Sequence, residues 1–112
     1  MKDLFERMLL ERKNERYVLK LYVTGMTPRS TDAVAMIKSI CHELLAGRYD
    51  LDVVDLYEHP EAASQQQIVA APTLVRETPM PRRLLVGNLS DRARVLRGLG
   101  LPQTAEAAGE GA

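Results

Sequence analysis

Tyr17-Val18-Leu19-Lys20-Leu21-Tyr22-Val23-Thr24-Gly25-Met26-Thr27-Pro28 decides the fold. Residues 17–24 are almost continuously apolar and rich in β-formers, with Lys20 the interruption. Such a run reads as a central strand covered on both faces. Thr27-Pro28 then opens a helix, because threonine caps helix N-termini and proline fits the first helical position. The turn between strand and helix holds no cysteine. Later in the chain, Ala71-Pro72-Thr73-Leu74 opens another strand.

Working outward, the helix runs to about Ala46. Val34, Ile37, Cys41 and Leu44 form its inner stripe, and Ala33, Ile40 and Leu45 widen it. Gly47 suits the C′ position. Leu51 to Tyr57 read as a second strand, and Asp52 and Asp55 place it at a sheet edge, where charge also discourages unwanted pairing. His59-Pro60-Glu61 starts a short helix through Ser64 to Gln67. Gln66 to Ala71 either extends that helix or joins a strand. Thr73 to Glu77 and Arg83 to Val86 read as strands joined by the turn Thr78-Pro79-Met80-Pro81, so they pair antiparallel. Ser90 caps a last helix with Asp91 in its positive first turn. Val95, Leu96 and Leu99 supply the buried face of that helix, and Gly98, Gly100 and Pro102 end it. The order β-α-β-α-β-β-α, with a parallel first βαβ and an antiparallel last pair, is the thioredoxin-like α/β arrangement with a mixed four-stranded sheet.

Two segments flank this domain of residues 17–101. Residues 1–16 predict an extra N-terminal amphipathic helix, with Leu4, Phe5, Met8 and Leu9 on one face. A helix this short needs a surface to dock on: its own core, a sister subunit in a homo-oligomer, or a partner. Residues 102–112 are polar and small, apart from Pro102, and read as a disordered tail.

Composition narrows the function classes. The chain has 112 residues, 15 basic and 15 acidic, so bulk charge points to neither nucleic acid nor a membrane surface. The single cysteine, Cys41, excludes an internal disulfide and fits a reducing compartment. No apolar run reaches membrane-spanning length, and the N-terminus lacks the apolar core of a signal peptide. The expectation is a cytoplasmic protein.

Thioredoxin-like folds normally carry a Cys-x-x-Cys pair in the first turn, facing a cis proline from the second. Here the architecture is present without the thiols, which favours recognition over redox catalysis. Cys41, inside an apolar helical stripe, reads as a structural thiol. His42 and His59 do not cluster with other ligands, so no metal site is expected. There is no glycine-rich phosphate loop, and no catalytic or cofactor residue is assigned. Arg76, Arg82, Arg83, Arg92, Arg94 and Arg97 make the second half locally basic. With neutral total charge and no aromatic platform, this reads as a solvated face and protein contact rather than a nucleic-acid site.

The run Tyr17 to Pro28 resembles the start of the KaiB family. So do Asp52-Val53-Val54-Asp55-Leu56, Ile68-Val69-Ala70-Ala71-Pro72-Thr73-Leu74-Val75 and Arg82-Arg83-Leu84-Leu85-Val86-Gly87-Asn88-Leu89-Ser90-Asp91-Arg92. The resemblance covers about residues 17–101. It implies a non-enzymatic regulator that binds the ATPase KaiC, or a KaiC-like relative, in a circadian-type timing or stress-response system. A KaiA-like protein or a histidine kinase of the SasA type would be a further partner. It also implies a cis Ala71–Pro72 bond, and in some members a switch to a tetramer-forming, non-thioredoxin arrangement of the second half.

On that resemblance the partner-binding residues would be Met26, Thr27 and Arg29 in the first turn, Asp32 at the helix start, and Asp52 and Asp55 on the second strand. Asp32 and Asp52 stand where clock members are expected to carry bases. Two such reversals can cost several kcal/mol against an unmatched partner, which favours a divergent KaiC-like partner. Gly98 and Gly100 fall in the switching region, Gly98 matching a family glycine and Gly100 replacing an expected aspartate. Beyond Leu101 the chain offers only Pro102 and a polar tail, and glycine and proline make poor strand material, so the thioredoxin-like state is expected at rest. The alternatives are a divergent thioredoxin-like redox protein using Cys41, and a sensory module serving a histidine kinase.

Overall fold

The computed structural model describes residues 15–101. It contains β1 (Tyr17–Val23), α1 (Pro28–Leu44), β2 (Tyr49–Asp55), α2 (Glu61–Gln65), β3 (Thr73–Thr78), β4 (Arg83–Val86) and α3 (Arg92–Leu99). The proposed helix up to residue 14 and the tail 102–112 lie outside the described residues. Glu15 and Arg16 precede β1 without helical structure. Arg16 instead grips Asp50 through Nε and Nη2, each 2.9 Å from a carboxylate oxygen, and this holds the Asp50 carboxyl below its usual range.

The sheet is mixed, in the order β2-β1-β3-β4. β1 runs parallel to β2 and antiparallel to β3, and β4 closes the far edge antiparallel to β3. The near-continuous apolar run therefore does become the inner strand, and the aspartate-bearing strand an edge. Side chains on alternate sides of β1 feed two separate cores. Leu19, Leu21 and Val23 meet α1 through Ile37, Ile40 and Cys41, and α3 through Val95, Leu96 and Leu99. Tyr22 joins Val75 and Ile68 on the opposite face, under Ala62 and Ala63 of α2. Fully burying a leucine or isoleucine contributes about 1.5–3 kcal/mol, so the larger cluster is what fixes α1 and α3 in place.

Several local expectations shift. β2 starts at Tyr49, because Tyr49 and Asp50 pair in register with Tyr17 and Val18, and it stops at Asp55 rather than Tyr57. α1 ends at Leu44, where the Leu45 N–H returns to the Cys41 carbonyl. Val34 and Leu44 are only half-buried, whereas Ser30, Ala33 and Ile40 are buried, so the inner stripe is rotated from the one read from spacing. Residues 66–71 join neither helix nor strand, and Gln67 takes a left-handed φ of 59°. The N-cap of α3 is Asp91, whose Oδ1 accepts from the Arg94 N–H at 3.2 Å. Ser90 bonds instead to Asn88.

Arg76 departs furthest from its reading as part of a solvated basic face. It is 6% exposed on the α1/α3 side of the sheet. Nη1 donates to the Leu99 carbonyl (3.0 Å) and Nη2 to the Pro81 carbonyl (2.7 Å), while Nε has no acceptor among the described residues. The guanidinium thus sits at the negative C-terminal end of α3, where a cation is favoured, and ties that end to the β3–β4 turn.

Candidate functional site

The turn after β1 is fixed from both sides. The Gly25 N–H donates to Asp55 Oδ1 at 3.1 Å, and the Tyr57 N–H donates to the same oxygen at 2.9 Å. Gly25 has φ 70°, and a Cβ there would lie 3.2 Å from carbons of the Tyr57 ring. Glycine is required here for both its conformation and the close approach of the ring. On the helix side, the Ser30 N–H donates to Thr27 Oγ1 at 3.2 Å, and the Thr24 N–H donates to Ser30 Oγ at 3.3 Å. Thr27 is the extended N-cap with Pro28 following it. These constraints leave Met26 standing out of the turn, 89% exposed.

The residues expected to bind a partner do not form one surface. Met26 lies in the turn, and Arg29 and Asp32 are exposed three residues apart on the start of α1, a spacing that puts them on one helix face. Arg29 and Asp32 line a narrow cleft of about 50 Å3 with Pro72, Gly87 and Leu89. The Ala71–Pro72 peptide bond there is cis, as are Thr78–Pro79 and Met80–Pro81. Thr27 Oγ1 and Asp55 Oδ1 are spent on the turn itself. Asp52 is exposed, but it pairs in register with Lys20, so it projects from the sheet face opposite α1. Sequence reasoning missed Tyr57. It is 73% exposed and directly beside the turn. The signal was an aromatic residue two positions beyond the strand's last aspartate, ahead of the charged stretch Glu58-His59.

Redox chemistry has no usable thiol at this turn. Cys41 is fully buried in the core, and desolvation pushes its pKa up to about 11. Little thiolate forms near neutral pH, and the thiolate is the nucleophile. Among the described residues no group of three or more His, Cys, Asp or Glu side chains could hold a metal ion. His42 and His59 are exposed and far apart in the fold order, one on α1 and one before α2. No helix among the described residues is long and apolar enough to cross a membrane.

The two glycines of the proposed switching region have distinct settings. Gly98 lies inside α3 against the Leu85 side chain, with no room for a Cβ. Gly100 is the left-handed C-cap of α3 at φ 77°, its N–H returning to the Arg97 and Leu96 carbonyls.

Comparison with known proteins gives one consistent result. A family model described as the KaiB domain matches residues 20–101. The circadian clock oscillator protein KaiB1 of Synechocystis sp. is 47% identical over 85 residues, covering 76% of this chain and 81% of that protein. The circadian clock oscillator protein KaiB of Nostoc sp. is 44% identical over 92 residues, covering 82% and 85%. Among solved structures, the N-terminal domain of Synechococcus elongatus SasA superposes with a TM-score of 0.63 at 25% identity, covering 80% of this chain and 88% of that one. Chloroplastic thioredoxin z superposes with a TM-score of 0.64 at 16% identity, covering 85% and 86%; that likeness is one of fold.

Proposed function

The chain belongs to the KaiB family, and from that premise we propose that it is a non-enzymatic regulator that docks on a KaiC-family ATPase in a circadian-type timing or stress-response system. The observation that carries this reading is the family match over residues 20–101, which takes in most of β1, the first turn and both strand edges. The first turn holds no cysteine, and the single thiol, Cys41, is buried with its pKa pushed up to about 11, which supports recognition over redox catalysis. The same reading places the protein in the cytoplasm beside its ATPase.

The contact surface proposed is Met26, Arg29 and Asp32 with the exposed ring of Tyr57. Thr27 and Asp55 act as positioning residues that hold this turn, whereas Asp52, on the other face of the sheet, lies apart from this contact. Asp32 calls for a base on the facing ATPase surface, since like charges placed opposite one another suppress binding. Gly98 and Gly100 are the positions at which any rearrangement of the second half would begin, because α3 depends on them for its packing and its end.

Calorimetric titration with each KaiC-family ATPase of the source organism, with and without ATP, tests the proposal. Binding to one of them is expected, weakened at least about tenfold in a Met26→Ala, Asp32→Lys double variant, since a few exposed anchors carry most interface energy. Absence of binding to all of them would overturn it. The likeness to the SasA N-terminal domain favours one second reading, a module serving a histidine kinase, which the same titration against that kinase addresses. A KaiA-like protein is the remaining candidate partner.

A further inference from the structure

The edge of the sheet opposite β2 carries a second feature. An open groove of about 390 Å3 runs between β4 and α3. Arg83, Arg94 and Arg97 surround it; on β4, Arg83 and Leu85 face α3, whereas Leu84 and Val86 point to the other side of the sheet. Gly98 lets α3 lie directly on Leu85 and bury it, and the outer edge of β4 stays open because, among the described strands, β4 pairs only with β3. Val86 is 41% exposed. Arg94 and Arg97 are three residues apart on α3 and share one face. Arg94 Nη2 donates to the Val86 carbonyl at 2.6 Å, which steadies that guanidinium over the strand.

The charges here are uncompensated. Elsewhere on the surface, Arg16, Arg82 and Arg92 pair with Asp50, Glu77 and Glu43. Arg83, Arg94 and Arg97 have no carboxylate within ion-pair distance among the described residues. Three guanidinium groups around one groove in a chain of zero formal net charge make a local positive potential that a carboxylate-bearing ligand relieves, and arginine's planar fork matches carboxylate geometry.

We propose that this groove binds an acidic, extended protein segment along the outer edge of β4, its carboxylates held by Arg83, Arg94 and Arg97 on the α3 side and its alternate apolar side chains resting beside Leu84 and Val86 on the other side of the sheet. An extended segment fits because the outer side of β4 is an unpaired sheet edge, to which a strand can add. A nucleic-acid strand fits less well, since no aromatic side chain lines the groove for base stacking. The site is independent of the KaiC reading and leaves the first turn free.

The probe is a fluorescein-labelled hexapeptide alternating glutamate and valine, followed by fluorescence anisotropy at low and moderate salt. Matched peptides with glutamine or lysine in place of glutamate, and a short oligothymidylate, serve as comparisons. The glutamate peptide is expected to bind at least about tenfold tighter than the glutamine peptide, from the added strength of charged hydrogen bonds, and to weaken with salt. Arg83→Glu with Arg97→Glu abolishes the preference, the milder Arg97→Gln reduces it, and Arg29→Glu at the first turn leaves it intact. All three positions are exposed, and an unchanged urea midpoint checks that each variant is folded. Amide shifts on peptide addition fall at Leu85, Val86 and Gly98. Equal binding of the glutamate and glutamine peptides, retention of binding in the double variant, or tighter binding of oligothymidylate lost on the same substitutions would each overturn the proposal.

Discussion

Replacing Arg76 with methionine tests whether the last helix is held by a buried cation. The side chain is 6% exposed, so its stem is packed and its charge is almost fully desolvated. Methionine keeps much of the stem and removes the two donors to Leu99 and Pro81. Hydrogen bonds from charged groups contribute about 1.5–3 kcal/mol each, or roughly 3–6 kcal/mol gross for the pair. Desolvating a guanidinium costs several kcal/mol in return, and the partnerless Nε adds to that cost. These terms largely cancel. What remains in the variant is two carbonyls stripped of their donors, at about 1–3 kcal/mol each. The expected loss is therefore about 2–6 kcal/mol. Arg76→Lys, whose ammonium is a compact charge rather than a fork, reaches one carbonyl and loses about half as much.

Urea unfolding gives the global figure. For a domain of this size, about 1 kcal/mol corresponds to roughly 4–8 °C in Tm, so the methionine variant melts at least about 8 °C lower. Amide exchange gives the location. The Gly100 and Leu101 N–H groups, bonded to Arg97 and Leu96 carbonyls, are expected to exchange faster as the end of α3 loosens, ahead of the amides of β1. Buried ion sites can also be replaced by apolar residues at no cost. A methionine variant as stable as the parent, or one whose loss leaves Gly100 and Leu101 protected, refutes the account of Arg76 as a tie between α3 and the β3–β4 turn.

The alkaline limb of stability follows from Cys41. Its folded pKa of about 11 lies above the ordinary thiol value, so the folded state holds the proton more tightly. Stability is fully present below the unfolded pKa and falls as pH rises toward 11, by roughly 2–3 kcal/mol; a Cys41→Ala variant lacks this component, read as the difference between urea midpoints from pH 8 to pH 11. Thr27→Ala removes the N-cap of α1 and is expected to cost about 1 kcal/mol in the same assay, with Thr27→Ser neutral. Asp55→Ala releases the Gly25 and Tyr57 amides together, costing about 1–3 kcal/mol and speeding exchange at both. Asp55→Asn, which keeps an acceptor oxygen, retains part of the protection; equal exchange in the two variants would contradict the role given to that carboxylate.

What the sequence made legible is the part governed by local rules. The apolar run of β1, the Thr27-Pro28 start of α1 and the proline-rich β3–β4 turn each have a short-range cause, and each lies where expected. The edge position of β2 was also readable, because Asp52 tolerates only a solvated strand. What failed depends on partners distant in sequence. Arg76 looks like any basic residue until Leu99 and Pro81 are brought to it. Asp52 and Asp55 belong to one motif, yet their odd spacing on a strand sends them to opposite faces. Asp55 is consumed by the backbone of Gly25, thirty residues earlier. The choice of Asp91 over Ser90 as a cap turned on a single residue of register, a distinction propensity does not make because both types cap well.

The sheet order has a consequence for synthesis. β1, made first among the strands, occupies an inner position, and one of its neighbours begins only at Thr73. At ribosomal speeds the intervening chain takes on the order of seconds to emerge. For that interval one flank of the most apolar strand has no native neighbour, while the α3 side chains that seal the larger core are not yet made. During that interval the unpaired flank of β1 is exposed to wrong pairing, the kind of edge through which partly folded chains aggregate.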